Sequence, residues 1–379
     1  MSRRSSAAGL AAILAAVCPF ACGGGGSTHD TGGSDGAAPD GRGPEAGPEA
    51  GDAATDAPVD GPSSSSDAPP EAPAADSGDD ATEAGKPPLV VLFGGQGTDV
   101  VGDTWTFDGA SWTPVSTAAA PTARADGVLG LLGSSNVLFG GFGHGGITSD
   151  TWSFAGSTWS QVSPGASPSA RTASAVATLA GRIVLFGGDA DDIGADVLGD
   201  TWTFDGTTWT KLSPAASPSP RFGATMATVG SSVVLFGGSP PGGGALGDTW
   251  TFDGTSWTKL TPATSPSPRG GASCATVGGR MIVFGGDTNG MSDDGGVGYV
   301  DETWAFDGTT WTPITTAVTP PGRAYAAMAP AGAVAVLFGG LRIGVGPLAD
   351  TWTFDGTTWT EVSASGPSAR DLPMMAPLP

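Results

Sequence analysis

The pattern Val184-Leu185-Phe186-Gly187-Gly188, then a loop, then Asp200-Thr201-Trp202-Thr203-Phe204-Asp205-Gly206-Thr207-Thr208-Trp209 recurs six times along this chain. The glycine pairs begin at Gly94, Gly140, Gly187, Gly237, Gly285 and Gly339, so the period runs from 46 to 54 residues. Each unit carries two tryptophans seven residues apart, from Trp105 and Trp112 to Trp352 and Trp359, and these pairs account for all twelve in the protein. A period of this length means that one supersecondary unit is stacked on copies of itself, because a unit this small cannot bury its own apolar face.

The units divide into four short strands. After the arginine of each Pro-x-x-Arg comes a run of small residues, such as 172–178, and a glycine turn at Ala180-Gly181. The apolar run ending in Gly-Gly follows. The Asp-Thr-Trp-Thr-Phe segment alternates at period two, which places Trp202 and Phe204 on one face. Asp205-Gly206 is a two-residue hairpin signal, and the last strand runs from Trp209 to Leu212. Four regularly spaced strands per unit predict an all-β, six-bladed β-propeller of four-stranded blades. The crowded innermost position falls to the small-residue run. The outer edge falls to the last strand, where Pro114, Gln161, Lys211, Lys259, Pro313 and Glu361 deny a template for edge pairing. The aliphatic residue after each (Val115, Val162, Leu212, Leu260, Ile314, Val362) is expected to pack inward.

The chain enters its first unit at the second strand, Leu89 to Phe93. It ends on a run after Arg370, Asp371 to Pro379, that aligns with a first strand. The C-terminal strand is therefore expected to complete the first blade and close the ring. From the second Trp to the next glycine pair is always 28 residues, and from each arginine to the next glycine pair always 16. All length variation lies in the loop joining strands two and three, on the face that also carries the connections between blades. Insertions confined to one face of a repeat array commonly mark the binding face.

Pro-x-x-Arg, an apolar run, Gly-Gly, Asp-x-Trp-x-Phe-Asp and a second Trp together resemble kelch repeats, over residues 88–379. Kelch repeats often carry a histidine three residues after the arginine. Here those positions are Gly127, Ser174, Ala224, Ala272, Ala326 and Pro373, which removes a polar group near the axis. The resemblance also brings in copper-dependent galactose oxidase, whose site needs tyrosine, histidine and a modified cysteine. The repeats hold only His144, Tyr299, Tyr325 and Cys274, and one histidine cannot make a two-imidazole copper site. Nor can one histidine support a nucleophile–histidine–acid set, and there is no phosphate-loop signature. Thr-Phe-Asp-Gly-Thr-Thr-Trp comes near the Asp box of sialidase propellers but lacks the residue between Asp and Gly; its hairpin role explains it.

Ahead of the repeats, Arg3-Arg4 and the apolar run Ala7 to Val17 read as a signal peptide over residues 1–22, too short to span a bilayer. Ala21-Cys22-Gly23 resembles a bacterial lipoprotein cleavage site with Cys22 as the lipidated residue, although Pro19 and Phe20 depart from the usual pattern; an ordinary signal peptide is the alternative. Gly23, rather than Asp, fits outer-membrane delivery. Residues 23–87 are Gly, Ala, Pro, Ser and acids, a composition that cannot offset ordering entropy and predicts a disordered linker. Its r.m.s. span as a flexible tether is on the order of 45 Å. The net charge of −22 divides about equally between linker and repeats and argues against nucleic acid or an anionic lipid surface as partner. Membrane contact is expected only through a lipid anchor.

Two groups of residues are candidate contacts. Arg124, Arg171, Arg221, Arg269, Arg323 and Arg370 could ring the channel mouth and bind a carboxylate, or could each pair with a blade acid such as Asp103, Asp150 or Asp200. The longest loops carry Asp189, Asp191, Asp192 and Asp196, and Asp287, Asp293, Asp294, Asp301 and Glu302. Oxygen-rich loops can hold Ca²⁺, but EF-hand spacing is absent, and a solvated acidic loop is the other reading. No other cofactor is expected. The expectation is a non-catalytic binding module at a bacterial cell surface, contacting an unknown surface protein or glycan through the loops at 189–199 and 287–301. The alternatives are a sugar-active enzyme like the kelch-type epimerases and a purely structural surface protein.

Overall fold

The computed structural model describes residues 89–191, 193–289 and 298–379, all strand, turn and loop. The signal-peptide, Cys22 and linker readings, and Asp192, Asp293 and Asp294, lie outside the described residues. Six four-stranded antiparallel sheets are present, five of them ordered inner to outer as the chain runs and the first with the C-terminal strand innermost. In the third blade, for example, Ala175–Leu179 pairs with Arg182–Asp189, that with Val197–Phe204, and that with Trp209–Leu212.

The inner strands are Met374–Pro377, Val128–Leu132, Ala175–Leu179, Thr225–Val229, Ser273–Val277 and Ala327–Ala331. Each packs on the next in that order, and the sixth on the first, so the six sheets radiate from one axis. The first blade is built as expected: C-terminal Met374–Pro377 pairs with Val90–Gln96, Phe93 facing Met374 and Val90 facing Pro377. The ring is closed by strand pairing between the two ends of the described propeller.

The second strands are apolar without alternation because both of their faces are covered. Val137 and Phe139 pack with Ile183, Leu185 and Phe204 of the following blade, while Leu138 between them packs with Val91 and Phe93 of the preceding one. The core is therefore six separate inter-blade layers. Each layer is pinned by the second Trp of a blade. Trp209 meets Phe204 of its own blade and Phe139 of the preceding one at centroid distances of 4.8 and 5.1 Å. Its indole N–H donates to Thr151 Oγ1 of that preceding blade at 3.0 Å. The same bond is made by Trp112, Trp159, Trp257, Trp311 and Trp359, so six identical indole–threonine bonds run around the ring.

At the outer edge, Pro114, Gln161, Lys211, Lys259, Pro313 and Glu361 are exposed, and the aliphatic residue after each packs on a core layer. Period-two alternation over short outer strands is sufficient to produce this division.

Candidate functional site

The six arginines are the most uniform feature of the loop-bearing face. In Arg171 all five N–H donors are used. Nε donates to the Ser169 carbonyl at 3.0 Å. Nη1 donates to the Gly187 carbonyl at 3.0 Å and Asp200 Oδ1 at 2.6 Å. Nη2 donates to Ser169 Oγ at 2.9 Å and Asp200 Oδ2 at 3.2 Å. Arg124, Arg221, Arg323 and Arg370 make the same two-pronged pair with Asp150, Asp248, Asp350 and Asp103. In the fifth blade the acid is Glu302, whose longer side chain receives a single bond from Arg269 Nη2 at 2.6 Å. Each acid also accepts the indole N–H of the first Trp in its blade. The constant spacing of 16 between arginine and glycine pair is the reach of Nη1 to the first glycine's carbonyl. The reading of these arginines as a ligand-binding ring at the mouth is corrected: each is about 1% exposed, and its charge is committed to its own blade.

The glycine pair serves the next blade. The N–H of its second member donates to the carbonyl of the following arginine, as Gly141 does to Arg171 and Gly188 to Arg221, both at 2.9 Å. That connector passes so close that a Cβ on Gly140, whose φ is +70°, would sit 2.6 Å from the Arg171 carbonyl oxygen. Only glycine fits there.

Two residues beyond each arginine the backbone turns left-handed, at Asp126, Ala173, Gly223, Gly271, Tyr325 and Leu372, with φ from +51° to +61°. Their peptide groups join head to tail around the axis. Ala173 N–H donates to Asp126, Gly223 to Ala173, Gly271 to Gly223, Tyr325 to Gly271, Leu372 to Tyr325 and Asp126 to Leu372, at 2.8–3.0 Å. Four of the six are not glycine, and each carries the cost of a left-handed φ. This closed hoop of six amide bonds rims the axial channel on the loop-bearing face. Below it lies a cavity of about 480 Å³ walled by the six inner strands. Cys274 stands in that wall. It donates to the Met226 carbonyl at 3.2 Å, and burial pushes its thiol up to about 11, so it is not a nucleophile near neutrality.

A kelch-repeat family model, described as the KLHDC2/KLHL20/DRC7 Kelch-repeats domain, matches residues 64–238 and 206–375. The chain belongs to the kelch-repeat family. No curated protein matched it.

On the kelch propeller's loop-bearing face, the acids divide by how they are engaged. Asp189 is buried; its carboxylate accepts the N–H groups of Asp191 and Gly194 at 3.3 and 2.7 Å. Asp191 accepts those of Ile193 and Ala195. These two shape their own loop. Asp196 and Asp301 are exposed. Asp287 is buried beside Tyr299, with which its backbone forms a bridge. Among the described residues no three carboxyl, imidazole or thiol groups converge as a metal site. His144 is exposed in its loop, 3.0 Å from Asp99.

Of the residues that meet above the inner strands, the sequence reading singled out only Asp189 and Asp287. One set follows the glycine pairs (Gln96, Phe142, Asp189, Ser239, Asp287, Leu341) and one follows the arginines (Asp371, Ala125, Thr172, Phe222, Gly270, Ala324). The two sets meet in six bridges above the inner strands. Numbering residues from the arginine and the glycine pair would have exposed both sets.

Removing one buried arginine strands its acid and three carbonyl or hydroxyl acceptors. Arg221→Ala is expected to cost about 3–5 kcal/mol in urea unfolding; a loss within ~0.5 kcal/mol would contradict this account.

Stability should also depend on pH in two opposite ways. Desolvation pushes the Asp103, Asp150, Asp200, Asp248, Asp350 and Glu302 carboxyls up, but hydrogen bonds and charge from their arginines outweigh it and hold them below their ordinary range. Their contribution is present above about pH 4 and lost as pH falls through the depressed values. Asp371 and Asp189 behave oppositely. Desolvation pushes both up to about 6, and for Asp189 the hydrogen bond shared with Asp191 adds to it. Ionised at pH 7, they oppose folding, and the opposition is relieved as pH falls from about 6 towards 4. Tm is therefore expected to rise from pH 7 to 5 and fall below 4, with the rise reduced in Asp371→Asn. A Tm that only declines from pH 7 downward would contradict the assignment.

Proposed function

We propose that this kelch propeller is a non-catalytic binding module whose partner is contacted by the face carrying the loops between second and third strands. The observation that carries this is the contrast between the faces. Indole–threonine bonds, arginine pairs and the amide hoop repeat in every blade, while insertion is confined to loops such as 189–197 and 287–300. The described ends of those loops, Asp189 and Asp287, are bridged to the connectors above the inner strands. The opposite face ends in near-identical hairpins, where Asp205, Asp253, Asp307 and Asp355 each accept the two backbone N–H groups that follow. Five copies of one aspartate turn, with Ala155-Gly156 in the second blade, offer little to distinguish one partner from another.

The N-terminal pattern at Ala21-Cys22-Gly23 supports export with a lipid anchor, the linker at 23–87 acting as a stalk. In this reading the propeller is displayed at a bacterial cell surface. A catalytic role has less support. The thiol of the one described cysteine is pushed up by desolvation, the one described histidine is solvent-exposed, and the arginines that a sugar-active site would draw on are committed to blade acids.

The test is retention of envelope proteins and glycans by the full chain, beside a variant with the 287–301 loop shortened and one with the Asp205–Thr208 hairpin replaced. Retention lost only on shortening the 287–301 loop is expected. Equal retention by all three forms would overturn the assignment of the binding face.

A further inference from the structure

At the mouth of the channel, one buried charge has no ion-pair partner among the described residues. Asp371 is 1% exposed, takes part in no ion pair, and its Oδ1 meets no donor. It faces Gln96 across a bridge in which the two residues exchange both backbone hydrogen bonds at 2.8 Å. Side chains directly opposite in such a pair lie on the same face. Gln96 Oε1 is also buried and meets no donor. Two buried oxygens without donors, one of them of a carboxylate, thus lie on one face of the bridge; the glutamine amide could turn an N–H to the carboxylate but would bring no charge. This is costly unless something supplies protons and positive charge.

The surroundings define what could enter. Leu372, next to Asp371, is part of the amide hoop and donates to Tyr325, whose ring lies against Gly271 in the adjoining blade. Tyr325 meets Tyr299 edge-on at a centroid distance of 6.3 Å. Burial raises both phenols above their ordinary range, and the charges of Asp287 and Asp371 raise both further, with Asp126 also acting on Tyr325. The Leu372–Tyr325 bond and the contact between the rings place both tyrosines beside the segment that carries Asp371, and the charges raising the phenols are carboxylates. Half-buried Phe142, Leu341 and Leu372 add apolar surface to the mouth.

We propose that this mouth receives one cationic side chain, a lysine or arginine of a polypeptide partner, with Asp371 and Gln96 accepting from its head group and Tyr299 and Tyr325 lining its stem. The inference rests on the loop-bearing face being the binding face and names what that face recognises. A neutral hydroxyl could satisfy one oxygen but would leave the charge of Asp371 uncompensated. An ammonium or guanidinium supplies donors to both oxygens and the missing charge. A long alkyl stem ending in a charge suits a buried acid reached past aromatic and aliphatic walls. A bulky sugar ring does not.

The experiment is a ligand-observed NMR titration of the full chain at about 0.15 M salt, where diffuse attraction to an acidic protein is screened. The probes are acetyl-Gly-Lys-Gly-amide and its arginine, norleucine and glutamate counterparts. The cationic peptides are expected to bind and the other two not. Asp371→Asn should weaken binding at least about tenfold, with a Tm at pH 7 equal to or above the unaltered protein. Asp205→Asn, which removes the same charge from a hairpin on the other face, should leave binding unchanged. Equal binding of the norleucine peptide, no binding of either cationic peptide, or undiminished binding by Asp371→Asn would each overturn the proposal. Capture of the envelope partner that needs the 287–301 loop but not Asp371 would remove this inference and leave the binding face standing. Capture indifferent to the loop would remove the binding face itself.

Discussion

The propeller depends on a buried arginine with at most one donor to spare. Its five N–H groups reach one carboxylate, one hydroxyl and two carbonyls in most blades, and the backbone around it is shaped to let them. Buried pairs of this kind are weak arguments for net stability but strong ones for a single geometry, since any other arrangement strands a charge. The arginine's own carbonyl receives the glycine N–H of the preceding blade, and the residue two beyond it turns into the amide hoop. One residue per blade thus connects three sets of bonds: within the blade, to the blade before, and around the axis.

This arrangement explains where the chain is free to vary. The path from the second Trp through the arginine to the next glycine pair has a constant length because inter-blade bonds are anchored along it. The stretch from the glycine pair to the Asp-Thr-Trp segment is pinned towards its two ends, by the glycine amide and the bridge after it, and by the acid and, in most blades, the carbonyl two residues before it. Small two-stranded ribbons at Phe142–Gly143 with Gly146–Ile147, and at Leu341–Arg342 with Gly346–Pro347, occupy it in two blades. In two others the paired strands simply run on past a bulge at the glycines. Differences accumulate there without touching the ring, which is the physical basis for assigning recognition to that face.

Much of this was legible in the sequence. Blade number, strand order, the exposed outer edge and closure by the C-terminal strand all follow from local patterns and spacings. The arginines were legible as a repeating element and their pairing with blade acids such as Asp103, Asp150 and Asp200 was one of two readings, but the choice between them was not legible, because the residues they bond lie up to 33 positions away in sequence, or 267 at the closure. The hoop was hidden for a different reason. It is made by main-chain groups, and the left-handed position that forms it holds Asp126, Ala173, Tyr325 and Leu372 as well as two glycines. The mouth was least visible of all. Its residues come one or two from each blade, and their identities differ because nothing in the ring requires them to agree.

The most direct test of the arginine's central place is native-state hydrogen exchange. Gly188 lies at the end of a second strand and Gly223 in a connector between blades, and each donates across a blade junction, to Arg221 and to Ala173. The account predicts that both amides exchange only with global unfolding, as slowly as the amide of Leu185 in the core, and that Arg221→Ala releases both while Leu185 keeps a protection set by the remaining global stability. Exchange of Gly188 and Gly223 at the rate of the Asp205–Thr208 hairpin in the unaltered protein, or no change in either on removing Arg221, would contradict it.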